Sequence, residues 1–245
     1  MGTAIAKTLA ERGQKVFVYD KNYFKAAALA KTKNIVAQKN LKNLFQADFV
    51  ILAVKPFHLA DLNIRVNPSA VLISIAAGVK ISKLQKLFGH KKVVRLMPNL
   101  GLSVGLGIAG WKSAGLSSKE KAAVKQVLDK ITENFEVKNE KQINSVTAIS
   151  GSGPAYFFAF ALALQKAARA LGFNAKQARM LAEKTFLAAA ALQSGREYQD
   201  LINQVASKKG TTEQALEVFK KSRLEQIVLK AAIAAQKRAR EISNE

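Results

Sequence analysis

The sequence predicts an α/β protein: a doubly wound, mostly parallel sheet over residues 1–145, followed by an all-helical domain over residues 146–245. Three observations carry this reading. Short β-rich runs alternate with helical segments through the first half, the order that builds a parallel sheet with helices on both faces. Two of those runs, 49–54 (FVILAV) and 71–76 (VLISIA), are almost wholly apolar, as suits strands buried on both sides. Beyond Asn144 the strand signal stops, and alanine-rich periodic segments continue to the end of the chain.

Each element has its own signal. Residues 2–12 read as an amphipathic helix, 15–19 (KVFVY) as a strand closed by Asp20, and 23–31 as an alanine-rich helix. The run 49–54 ends at Lys55-Pro56, and the run 71–76 ends at Gly78. Residues 81–88 read as helical, 93–97 as a strand stopped by Pro98, 118–131 as a helix with Ser117 or Ser118 as N-cap, and 135–137 as a last short strand. In the second half, helices are expected at 155–171, 175–193, 213–221 and 224–242, with Gly172 and Gly195 as stops. The stretch 155–164 is hydrophobic around most of its circumference and needs partners on several sides. A homodimer with interlocking helical domains is therefore expected.

Composition narrows the function classes. Nearly half the residues are apolar, enough for a sizeable core, and no cysteine is present, which excludes a disulfide framework and a thiolate metal site. His58 and His90 are too few and too far apart for a histidine metal cluster. No uninterrupted apolar run is long enough to span a bilayer, and residues 1–13 lack the order of a signal peptide. Met1-Gly2 is not followed by Ser or Thr at position 6, so an acylation signal is discarded and a cytoplasmic protein is expected. The net charge of +22 is spread along the whole chain, which predicts at most weak, salt-sensitive, non-specific binding to nucleic acid.

A doubly wound sheet ordinarily begins with a strand, then a glycine-rich turn, then a helix; here the helix comes first. Met1-Gly2 has the form of the tail of a G-x-G-x-x-G turn, whose last glycine lets the helix pack closely on the sheet. Asp20 stands 18 positions after Gly2 at the end of the next strand, where an acidic residue binds the ribose hydroxyls of a dinucleotide. The expectation is a chain opened inside this turn, lacking the first strand.

Three blocks carry chemistry. Ala53, Val54, Lys55 and Pro56 follow the first apolar strand at the carboxyl edge of the sheet, where such folds bind ligands. Ala76, Ala77 and Gly78, together with Asn99 after the strand ending at Pro98, lie on the same edge. The small residues permit a planar ring close to backbone, and the Asn99 amide suits a carboxamide or a loop pin. Third, 149–156 (ISGSGPAY) and 207–212 (SKKGTT) each lead into a helix, with hydroxyls and backbone N–H groups placed to receive an anion.

Taken together, LAVKP, SIAAGV, VVRLMPN, ISGSGPAYFF and the GTT of 210–212 resemble the pyrroline-5-carboxylate reductases over the whole chain and in order. The resemblance implies a Rossmann-type domain joined to a helical dimerisation domain, with dimers often assembled into larger rings. It implies an NAD or NADP cofactor contacting Met1, Gly2, Asp20, Ala53–Pro56, Ala76–Gly78 and Asn99, and a cyclic imine carboxylate as substrate. It also implies that Ser207, Gly210 and Thr211 hold the substrate carboxylate and that Thr212 bonds the ring nitrogen. Asp20 favours NAD and the neighbouring Lys21 accommodates NADP, so the preference stays open. A related hydroxy-acid dehydrogenase would need a lysine between Gln142 and Gly153, where none stands.

Besides the front end expected to be missing, the chain departs from the family pattern in two places. Leu100-Gly101 replace the usual Thr-Pro, and Lys208-Lys209 replace Pro-Gly. If the replaced glycine had a positive φ, Lys209 is strained by about 1 kcal/mol. The lysines could instead attract the carboxylate. A diverged paralogue, acting on another imine or serving as a binding protein, is the alternative these departures raise.

Overall fold

In the computed structural model, which describes residues 1–244, parallel pairing occurs where the chain leaves room for a crossover. Strands β1 (Val16–Val18) and β2 (Ile35–Ala37) form a parallel pair. A five-stranded sheet runs in the order β3 (Phe49–Leu52), β4 (Val71–Ser74), β5 (Val93–Pro98), β6 (Ile108–Ala114) and β7 (Glu133–Glu136). Every neighbouring pair is parallel except β5 and β6. Residues 99–107 between those two hold only a short 3₁₀ turn, less than a crossover helix requires, so the chain doubles back as an antiparallel hairpin. Helices α2 (Tyr23–Leu29), α3 (Ile81–Phe88) and α4 (Ser118–Asp129) connect β1 to β2, β4 to β5 and β6 to β7, and α1 (Gly2–Glu11) precedes β1. Residues 53–70 join β3 to β4 with only a short 3₁₀ turn but twice the length of the hairpin connection.

The apolar runs of β3 and β4 have a direct cause. Val71 and Ile73 pack with Ile5, Leu9, Val94, Leu96, Trp111 and Leu128 on one face. Leu72 packs with Val50, Leu52, Leu84 and Val93 on the other. With side chains alternating faces and both faces covered, no position in these strands is left for a polar residue except Ser74.

Ser117 is the N-cap of α4, with a capping box: its hydroxyl accepts from Glu120 N–H, and Glu120 accepts back from Ser117 N–H. Glu120 also lies 2.6 Å from Lys92 Nζ. The bond from Lys92, followed by those from Ser117, holds the Glu120 carboxyl at about 2. A depressed carboxyl contributes its stability in full above its ordinary value of 4.5 and loses it as pH falls through about 2. Glu120→Gln is therefore expected to lower Tm at pH 7, with the gap to the wild type closing as the melts are repeated toward pH 2.

The chain divides into two compact units, one of Met1–Ser152 with Ala234–Glu245 and one of Gly153–Ile233. Helix α5 (Gln142–Val146) passes through a π-helical turn, Thr147–Gly151, into α6 (Gly153–Ala170). Then come α7 (Ala175–Gln193), α8 (Tyr198–Val205), α9 (Thr211–Lys221) and α10 (Leu224–Asn244). Gly172 and Gly195 stop α6 and α7 with φ of 95° and 76°. The second unit leaves Phe157, Phe158, Phe160, Met180, Leu187, Ile227 and Leu229 exposed, more apolar surface than a lone soluble chain ordinarily shows. By length and composition, 142–170 is also a helix able to cross a membrane.

Strands β2 and β6 and helix α8 were not expected from the sequence. β2 has three residues, β6 carries Gly110 and Lys112 inside its run, and α8 has no side-chain cap at Glu197.

Candidate functional site

Within the first unit, the parallel strands β3, β4 and β5 bring their carboxyl ends to one edge, in register Leu52 with Ser74 and Ser74 with Arg95. Ala53, Val54, Lys55 and Pro56 follow β3 there, with Lys55 exposed as the N-cap of a short 3₁₀ turn. Gly2 opens α1 against the same loop: a Cβ on Gly2 would stand 2.9 Å from that of Ala53, so only glycine admits this approach. No side chain caps α1 at Met1, leaving its positive end available to a phosphate.

Ala76 is buried, and its N–H donates to Ser74 Oγ at 3.2 Å. Ala77 and Gly78 are partly exposed, and Gly78 turns the chain at φ 76°. Asn99 pins the hairpin: its Oδ1 accepts from Ile108 N–H at 3.1 Å and its own N–H donates to Ile108 O. Asp20, just past β1, accepts from Asn22 N–H at 2.9 Å, and Asn22 in turn caps α2. The residues present thus fit a dinucleotide: an uncapped helix end, a glycine contact and the loops after β3, β4 and β5 on one edge.

In the second unit, Ser207 to Gly210 make a tight turn, Gly210 N–H donating to Ser207 O at 2.9 Å. A Cβ on Gly210 would stand 2.9 Å from the Ser207 backbone oxygen, which cannot swing away, so glycine is required. Gly210 is the N-cap of α9 without a side-chain cap, and Thr211 and Thr212 are its first two residues. Glu213 Oε2 accepts from Lys209 N–H at 2.6 Å and closes the turn. The start of α9 therefore carries two threonines at the positive end of a helix, an arrangement that can receive an anion.

Lys209 has φ 60°, the left-handed conformation in which a side chain is strained. Lys209→Gly is expected to stabilise the fold by about 1 kcal/mol, less what the freer unfolded glycine takes back, read as a higher urea midpoint. A simultaneous rise in substrate KM would show that the lysine charge attracts the anion.

The block 149–156 differs from expectation. It does not open a helix, because the chain is already helical from Gln142, and Ser150 Oγ bonds back to Val146 O. The π turn admits Pro154, with Ser152 N–H donating five residues back to Thr147 O. This block therefore offers no free helix terminus. Sequence reasoning also passed over Arg95. Only 3% exposed, it bonds Glu140, Asn144 and Ser243. The signal was a charge inside an otherwise apolar strand.

Comparison with known proteins bears on the family and the fold. Residues 140–242 match the family model described as pyrroline-5-carboxylate reductase dimerisation, and residues 1–78 match that of the coenzyme F420-dependent NADP oxidoreductases. A pyrroline-5-carboxylate reductase of Vibrio alginolyticus is 36% identical over 83% of this chain and 78% of its own. The structure of a pyrroline-5-carboxylate reductase from Coxiella burnetii superposes with a TM-score of 0.87 at 30% identity, covering 99% of this chain and 94% of that one. The pyrroline carboxylate reductase of Plasmodium falciparum, solved with NADP bound, gives 0.79 at 26% identity over 99% and 94% of the two chains.

Proposed function

The chain belongs to the pyrroline-5-carboxylate reductase family, and we propose that it reduces 1-pyrroline-5-carboxylate to L-proline with NADH or NADPH, the last step of proline biosynthesis. The observation that carries the substrate assignment is the end of α9, where the Gly210 turn against Ser207 and the threonines at 211 and 212 form an anion receptor. Ser207, Gly210 and Thr211 hold the substrate carboxylate there, and the Thr212 hydroxyl bonds the ring nitrogen.

Met1, Gly2, Asp20, Ala53 to Pro56, Ala76 to Gly78 and Asn99 hold the cofactor. Bound reduced nicotinamide supplies the hydride. A protonated cyclic imine is already a good hydride acceptor, so the protein needs no strong acid. Its residues anchor the carboxylate, orient the ring and bond the nitrogen, and the gain comes from holding two reactants in line.

The helical domain assembles the chain into homo-oligomers. We read the smallest as a dimer in which the exposed faces of α6, α7 and α10 are covered by a second copy, with rings of dimers a further step. That burial also accounts for a helix apolar enough for a membrane in a protein we place in the cytoplasm.

Absorbance loss of NADH and of NADPH with 1-pyrroline-5-carboxylate tests the assignment directly. Turnover establishes it. Cofactor binding without turnover would favour another cyclic imine, the reading to which the strained Lys209 points, and a panel of such imines would identify it.

A further inference from the structure

The last turns of α10 belong to the first unit, and they close on a loop at the sheet edge. A Cβ on Gly78 would run into the Ile242 side chain, so this turn and the end of α10 are fitted to one another. One residue on, Ser243 is buried and accepts from Arg95 Nη2 at 3.4 Å. Arg95 Nη1 donates to Glu140 Oε1 at 3.0 Å, and the same oxygen accepts from Ile81 N–H at 2.9 Å. Ile81 is the first residue of α3, three positions past Gly78. The stretch from Gly78 to Ile81 is therefore held at one end by Ile242 and at the other by Glu140, with Arg95 joining the two.

We propose that the end of α10 positions the Ala76–Gly78 loop for the nicotinamide cofactor, through the Ile242 contact and the Ser243–Arg95–Glu140 chain. This rests on the reading above that the loop contacts cofactor. Ile242 and Ser243 are positioning residues, and neither meets a reacting group. Releasing them lets the loop leave its binding geometry, and apparent affinity falls by the fraction of time the geometry is lost.

The experiment is a fluorescence titration of NADH and NADPH against the wild type, Ile242→Ala, Ser243→Ala and Ala77→Glu, with Tm and steady-state constants for each. Ser243→Ala keeps the Arg95–Glu140 pair and guards against a fold lost in Ile242→Ala. In both α10 variants the cofactor Kd and KM are expected to rise about five- to tenfold, with imine KM and kcat at saturating cofactor held within about twofold. A lowered Tm with unmoved Kd, while Ala77→Glu abolishes binding, would overturn the inference and leave the loop assignment standing. An unmoved Kd in Ala77→Glu, or a wild type that binds neither nucleotide, would overturn both.

Discussion

Thr212→Ala is expected to lower kcat about 10- to 100-fold with NAD(P)H affinity unchanged, because in the proposed site it removes one hydrogen bond to the ring nitrogen, a group that carries charge. Such a bond is worth about 1.5 to 3 kcal/mol, and each 1.4 kcal/mol is a factor of ten in rate. Thr212 is the second residue of α9, partly buried beside the Gly210 turn, so losing its hydroxyl leaves the helix and its positive end in place. The carboxylate contacts proposed for Ser207 and Thr211 persist, and substrate KM should move less than kcat. Thr212→Ser keeps the hydroxyl and should retain most of the rate. Steady-state assays of both variants, with cofactor Kd from fluorescence, check this. An alanine variant as fast as the wild type would remove Thr212 from the ring nitrogen.

Legibility in the sequence followed the range of the interaction. Strands β3 and β4 were plain because burial on both faces leaves continuous apolar runs, and the cap of α4 was narrowed to Ser117 or Ser118, the choice of Ser117 resting on its reciprocal bonds with Glu120 three residues on. β6 was hidden because its Gly110 answers to Val146, whose side chain a Cβ would meet at 2.6 Å. The helix through 142–170 was cut short for a local reason: Ser, Gly and Pro at 150–154 signal a start, and only the π turn lets the helix continue through them. Of the site, loops after strands and the turn into α9 were readable from small residues and glycines. The strain at Lys209 followed from the family pattern, and φ 60° agrees with it. The Arg95 cluster was not readable, since its partners stand 45, 49 and 148 positions away and meet only through the tertiary fold.

That cluster supports the second large effect, Glu140→Ala, which is expected to cost about 3 to 5 kcal/mol of stability in urea denaturation. The two partners are unequally placed. The Arg95 side chain is 4% exposed and that of Glu140 is 30% exposed. Without Glu140, the guanidinium stays buried with, among the described residues, the neutral Asn144 and Ser243 as its partners, and the Ile81 N–H at the start of α3 loses its acceptor. Without Arg95, the Glu140 carboxylate can still be hydrated and still receives Ile81 N–H. Arg95→Met, close in length and apolar, should therefore be the milder change, although it deletes the larger side chain. The double variant Arg95→Met with Glu140→Ala should recover part of the loss of Glu140→Ala alone, because no buried charge is left unpaired. If the two single losses simply add, the pair is not coupled, and the stability of this edge comes from apolar packing around Ile242 and Gly78 instead.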